Sequence, residues 1–88
     1  MDELLERLSE LEHVQWQNWS KSVSGDLKRL IELCDKFSDN LNDEEKEFIN
    51  SQKERLIRWE GMWIPYDELS EDLKELDRNY ARKIMDEL

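Results

Sequence analysis

The sequence predicts an all-α fold: a small bundle of about four helices with an irregular, proline-containing corner before the last one. Apolar residues recur in steps of three and four along the chain, and its 88 residues include only two glycines and one proline. A charged fraction of 41% is also seen in disordered chains, but the helical spacing indicates that this chain folds. We therefore expect residues 1–88 to form a single helical domain.

Two apolar stripes, separated by a serine, a glycine and an aspartate, predict the first two helices. The first stripe covers residues 4–23, and acidic residues precede it where the helix dipole favours negative charge. Gly25 accepts the left-handed geometry that commonly ends a helix, and Asp26 is suited to cap the next one. The second stripe, over residues 27–37, then gives the second helix.

Capping signals predict where the third and fourth helices begin. Asn42 and Glu45 have the spacing of a capping box, so the third helix is expected to start there. Gly61 lets the chain leave this helix, and the proline in residues 62–69 prevents its continuation. Ser70 is the expected cap of the last helix, which an apolar stripe carries to the end of the sequence.

The corner itself has a simple packing logic. Pro65 fixes one backbone dihedral, and Tyr66 and Leu69 can then both turn inward. With the serine cap directly after them, these residues are expected to form a packed connection between two helices.

Composition excludes several classes of partner. Asp and Glu total 23 against 13 Lys and Arg, and the resulting charge of −10 repels duplex DNA. One cysteine, Cys34, forms no internal disulfide, and with one histidine it offers no metal-ligand set. No apolar run approaches the roughly 20 residues that span a bilayer, and the acidic start is unlike a signal peptide. We expect a cytoplasmic protein without membrane contact.

Catalytic motifs are lacking in the sequence. It contains no HExxH, no GxSxG, no glycine-rich phosphate loop and no second histidine or cysteine from which to build a nucleophile–base pair. We therefore predict no enzyme, no catalytic residue, no metal and no cofactor. His13 lies in one row with Trp16 and Trp19, and we interpret it as a structural histidine that forms a hydrogen bond between helices.

Two readings of the aromatic residues stay open. The four tryptophans either fill the small core or leave indole surface for a stacking pocket. Arginines near them can stack on a planar ligand and pair with phosphate, or they can neutralise acidic neighbours such as Glu75. The candidate ligand-binding residues are Trp19, Arg58, Trp59, Trp63, Tyr66, Arg78 and Arg82.

Residues 63–82 resemble the ryanodine-receptor repeat (RyR) module. The tail of that module reads Pro-aromatic-x-x-Leu-x-Glu and then Lys-Glu-x-Asp-Arg, which matches residues 65–71 and 74–78. The row of His13, Trp16 and Trp19 ahead of this tail is similar to small uncharacterised proteins of bacteriophages and prophages. Together the two segments cover about half of the chain.

The resemblance implies a helical fold with a cleft that admits purine-like ligands between aromatic side chains. Carried over by position, Trp59, Trp63 and Tyr66 are the aromatic residues of this cleft, and Arg78 and Arg82 are the basic ones. A phage protein of this kind would act in the host cytoplasm.

Two hypotheses follow for function. The first is a binding module of phage type that captures a small planar or anionic ligand, with a nucleotide or nucleotide second messenger as candidate, and so sequesters a host defence signal. The alternative is a helical interaction or homo-oligomeric assembly protein without a small ligand, in which a face such as Leu4, Leu8 and Leu11 packs against a partner. Its acidic charge would then attract basic partners.

Overall fold

A computed structural model describes residues 2–88 of the chain. Over this range the backbone forms three α-helices, α1 (Glu3–Lys36), α2 (Asp43–Gly61) and α3 (Glu71–Asp86), without any strand. Short 3-10 turns lie at Ser38–Asn40 and Tyr66–Glu68. The all-α class is confirmed, whereas the expected number of about four helices is corrected to three.

The two helices predicted before residue 38 are one continuous helix. Gly25 has no positive φ and lies within α1, so it does not end a helix, and Asp26 caps nothing. Ser24 is helical as well, and its hydroxyl donates to the carbonyl of Lys21 in the same helix at 2.9 Å. A glycine costs a helix only about 0.5–1 kcal/mol, which packing along α1 outweighs in the absence of a proline.

The predicted caps of the other two helices are confirmed. The Asn42 side chain accepts from the Glu45 amide at 2.8 Å, and the Asn42 amide donates to the Glu45 carboxylate at 2.9 Å. Ser70 caps α3 through its hydroxyl. α2 ends at Gly61 as expected, but Gly61 itself is not left-handed and Met62 supplies the cap.

The chain divides into two compact units. The first unit comprises the described chain up to Trp19 together with Trp63–Leu88, and the second unit is Ser20–Met62. In the first, the corner residues Tyr66 and Leu69 are both buried, as predicted, and Ala81 is completely buried. In the second, Ile31 and Leu56 are the buried apolar side chains.

The buried face of α1 differs from the apolar stripe that the sequence predicts. Leu4, Leu11 and Val14 are exposed, whereas Ser9 is completely buried and His13 nearly so. Burial of Ser9 costs little because its hydroxyl donates to the carbonyl of its own helix four residues earlier, at 2.7 Å. Small and polar side chains therefore occupy positions that the hydrophobic pattern does not identify.

Candidate functional site

The structure divides the seven predicted site residues between the two units. Five of them lie in the first unit, namely Trp19, Trp63, Tyr66, Arg78 and Arg82. The other two, Arg58 and Trp59, lie in the second unit. Their exposure also differs. Tyr66 and Arg78 are buried, Trp59 and Trp63 are half-buried, and the remaining three are exposed.

Arg78 is the centre of an ion-pair network within the first unit. Its Nε donates to Glu6 at 2.7 Å, and its Nη1 donates to Glu71 at 3.0 Å and to Glu75 at 3.4 Å. The hydrogen bonds from Arg78 and then from Tyr66 hold the pKa of Glu6 below its ordinary value, and the bond to Glu6 raises the pKa of Arg78 further. The guanidinium group of Arg78 is thus committed to carboxylates of the protein itself.

Arg82 makes similar contacts at the surface of α3. Its Nη1 lies 2.5 Å from Glu75 and 2.9 Å from the side-chain oxygen of Asn79. The hydrogen bond from Arg82 is the main reason why the pKa of Glu75 is lowered. Because about half of the Arg82 side chain is exposed, water competes with this pair more than with the Glu6 pair of Arg78.

Tyr66 connects the proline corner to the same network. Its hydroxyl donates to Glu6 at 2.9 Å, and the ammonium group of Lys74 lies 5.5 Å from the centre of its ring. Burial and the hydrogen bond to Glu6 raise the pKa of Tyr66. With only 5% of the residue exposed, the ring packs in the interior of the first unit and presents no open face for stacking in this structure.

His13 fastens the start of the corner to α1. Its Nε2 lies 2.7 Å from the carbonyl of Ile64, so this nitrogen carries the hydrogen and donates. The amide of Gln17 donates to the same carbonyl at 2.7 Å. The other ring nitrogen lies 3.7 Å from Asp77, and the ring stacks on Trp16 with centroids 6.0 Å apart. These contacts are those of a structural histidine.

An aromatic groove of about 320 Å³ lies beside this cluster, within the first unit. It is lined by Glu12, Gln15, Trp16, Trp19, Asp77 and Tyr80. Trp19 is 55% exposed and Tyr80 60% exposed, so large areas of both rings face solvent. Burial raises the pKa of Asp77, nearby Glu12 adds to that effect, and His13 opposes it. The groove combines π surfaces with carboxylates, and Trp19 alone belongs to the predicted site.

The second unit has a more apolar groove. It measures about 360 Å³ and is lined by Cys34, Leu41, Glu44, Glu45, Phe48 and Ile49. Phe37 and Phe48 are each about 60% exposed, and Ile57 is 68% exposed. This unit thus leaves several large apolar side chains in contact with water.

Sequence reasoning missed Glu6 and the role of Tyr80. Glu6 is one of 23 acidic residues, and nothing in its local sequence distinguishes it from the others. The spacing of Trp16 and Trp19 indicated a shared helix face, but no local pattern relates that face to Asp77 and Tyr80, about 60 residues later.

Comparisons with known proteins add no relative. Neither the scan against protein-family models nor the searches of curated proteins and of solved structures found a match. In residues 2–88, none of the three α-helices has both the length and the hydrophobicity that a membrane span requires. Over the same range no three histidine, cysteine or acidic side chains are grouped so that they could hold a metal ion.

Proposed function

We propose that this chain is a helical interaction module that binds a basic protein partner. The observation that carries this proposal is the distribution of apolar side chains in residues 2–88. Thirteen large hydrophobic residues there are exposed, whereas the buried hydrophobic residues are Ile31, Leu56, Tyr66, Leu69 and Ala81. Many large apolar side chains in contact with water, when they are grouped on a helix face, are typical of surfaces that a partner covers.

The exposed apolar residues occur in rows. On α3, Leu76 and Tyr80 are one turn apart and about 60% exposed, and Ile84 continues the row. On α1, Leu30 and Leu33 are both exposed and lie on one face, three residues apart. Such rows at helical spacing fit the apolar face of an amphipathic segment from another protein.

Charge favours a basic partner over a second copy of the chain. Two copies would each carry a formal charge of −10 and repel each other, whereas a basic segment is attracted. In homo-oligomeric assembly, the apolar contact therefore has to overcome that repulsion. Binding of a basic partner involves no such repulsion.

The test uses a designed amphipathic helical peptide with lysine and arginine on its polar face, and a matched peptide with glutamate in their place. We expect calorimetric titration to show binding of the basic peptide alone, with an affinity that decreases as salt increases. Leu76→Ser and Leu30→Ser, both at residues that are 58% exposed, assign binding to the first or the second unit. Equal binding of both peptides would refute the electrostatic argument, and concentration-dependent light scattering without peptide binding would favour self-assembly.

A second candidate function is the capture of a small planar ligand, which the resemblance to the RyR module implies. The aromatic groove supports it, because Trp19 and Tyr80 expose ring surface within a space near the lower limit of ligand pockets, roughly 300 Å³. Of the three arginines predicted for the site, Arg58 and Arg82 are exposed and Arg78 is buried. Sequestration of a host defence signal would follow if that ligand is a nucleotide messenger. Titration with purine nucleotides and cyclic dinucleotides, followed by tryptophan fluorescence and melting temperature, tests this function, and no response to any of them would exclude it.

A further inference from the structure

We propose that the aromatic groove binds the guanidinium group of an arginine side chain from the partner. This inference rests on the proposed interaction function and names the group that the first unit recognises. Trp16, Trp19 and Tyr80 provide ring surface, and Glu12 and Asp77 provide carboxylates in the same groove. Flat cations bind on such rings through cation–π attraction and stacking, and carboxylates neutralise their charge.

The spacing of residues along each helix places carboxylates and aromatic rings on the same surface. On α1, Glu12 precedes Trp16 by four residues, and Trp19 follows three residues later. On α3, Asp77 precedes Tyr80 by three. Residues three or four apart share a helix face, so each helix contributes a carboxylate and at least one ring to the groove.

The first unit already contains the same kind of contact. The ammonium group of Lys83 lies 5.1 Å from the centre of the Tyr80 ring, and that of Lys74 lies 5.5 Å from the Tyr66 ring. Asp77 also faces a buried nitrogen of His13 at 3.7 Å. Rings and carboxylates of this unit thus meet cationic or polar nitrogen groups at several points.

The groove is less suited to the alternatives. A phosphate would face two carboxylates, and none of the groove-lining residues is basic. A lysine ammonium fits the charge but does not stack, whereas the planar guanidinium can stack on an indole and bond a carboxylate in the same position. Arginine is therefore expected to bind better than lysine and better than its own uncharged isostere.

The experiment titrates the full chain with N-acetyl-arginine amide, the matching citrulline amide and the matching lysine amide. Citrulline keeps the planar shape and lacks the charge. We expect the indole N–H signals of Trp16 and Trp19 to shift in two-dimensional NMR, while that of Trp59 in the second unit does not. Affinity for the citrulline compound should be about tenfold lower, as loss of a charged contact predicts.

Variants locate the site. Tyr80→Ala and Asp77→Asn should each weaken arginine binding by about tenfold, whereas Phe48→Ala, which removes an equally exposed ring from the second unit, should not. Circular dichroism of each variant verifies its fold. Equal shifts with citrulline, shifts centred on Trp59, or no shifts at all would overturn the inference.

Failure of the arginine site can be distinguished from failure of the proposed interaction function. If the basic helical peptide binds but the arginine compound and the groove variants have no effect, the interaction function stands and the arginine site is wrong. If the arginine compound shifts Trp16 and Trp19 while the peptide does not bind, the groove recognises guanidinium and the interaction function is wrong. In the peptide itself, replacing arginine by citrulline shows whether a partner side chain uses the groove.

Discussion

Gly25 lies in the middle of α1 with ordinary helical backbone, and a Cβ atom added there would meet nothing within 4 Å. Alanine is a better helix former than glycine by about 0.5–1 kcal/mol in a helix interior. We therefore expect Gly25→Ala to stabilise the protein by about that amount. If Gly25 ended a helix in the left-handed conformation, as the sequence pattern indicates, alanine would instead destabilise it by roughly 1 kcal/mol. A continuous α1 and a helix that ends at Gly25 thus predict opposite signs for the change in stability.

The measurement is urea and thermal unfolding followed by far-UV circular dichroism. For a chain of this size, 1 kcal/mol corresponds to a change in Tm of about 4–8 °C, so an increase of roughly 2–8 °C is expected. Gly61→Ala is the matched control, because Gly61 is also helical and open but is the last residue of α2, where the gain should be smaller. A lower Tm for Gly25→Ala would refute the continuous α1 helix.

Three further predictions concern the caps and the ion-pair network. Tyr66→Phe removes the hydrogen bond to Glu6 and should lower the free energy of unfolding by about 1.5–3 kcal/mol, measured by urea unfolding; an unchanged stability would show that the bond contributes nothing. Asn42→Ala removes one half of the capping box with Glu45 and should cost about 1 kcal/mol, whereas Asn50→Ala, exposed within the same helix, should cost nothing. The pKa of Glu6 is lower in the folded than in the unfolded chain, so its contribution is present above its ordinary value of 4.5 and is lost as the pH falls below it. Tm measured against pH should therefore decrease more steeply below that value in the wild type than in Glu6→Gln, and identical slopes would contradict this.

Local signals predicted the ends of α2, the corner and the start of α3 well. Asn42, Glu45 and Ser70 act through contacts with backbone three residues away, so their sequence spacing contains the needed information. Pro65 likewise restricts its own dihedral and sets the corner in which Tyr66 is buried.

Gly25 misled the prediction because the same residue is tolerated inside a helix and favoured after one. Its local sequence does not determine which applies, since a cost of about 1 kcal/mol is easily outweighed by packing. The buried face of α1 was missed for a related reason. Ser9 satisfies its hydroxyl within its own helix and so occupies the interior without a hydrophobic side chain.

The candidate site depends on contacts between residues that are far apart in the chain, and a single sequence carries no signal for such contacts. Arg78 was a candidate for pairing with an anionic ligand, with neutralisation of acidic neighbours as the alternative, and Glu6, 72 residues earlier in the chain, holds its guanidinium. Pairs within one turn of α3, such as Glu75 with Arg78, were visible in the sequence, whereas the groove of Trp19 and Tyr80 was not.

The ion pairs that basic side chains form within the chain also determine the charge that a partner encounters at the surface. At least seven of the thirteen lysines and arginines lie within 4.0 Å of a carboxylate, namely Arg7, Lys28, Arg29, Lys53, Lys74, Arg78 and Arg82. Each such pair cancels charge locally, so the excess carboxylates dominate the field that a partner experiences at a distance. That field acts mainly on the rate of association and weakens with salt, whereas contact with exposed rings such as Tyr80 acts mainly on the lifetime of the complex. A basic partner should therefore associate faster at low salt, while loss of the Tyr80 ring should appear as faster dissociation at every salt concentration.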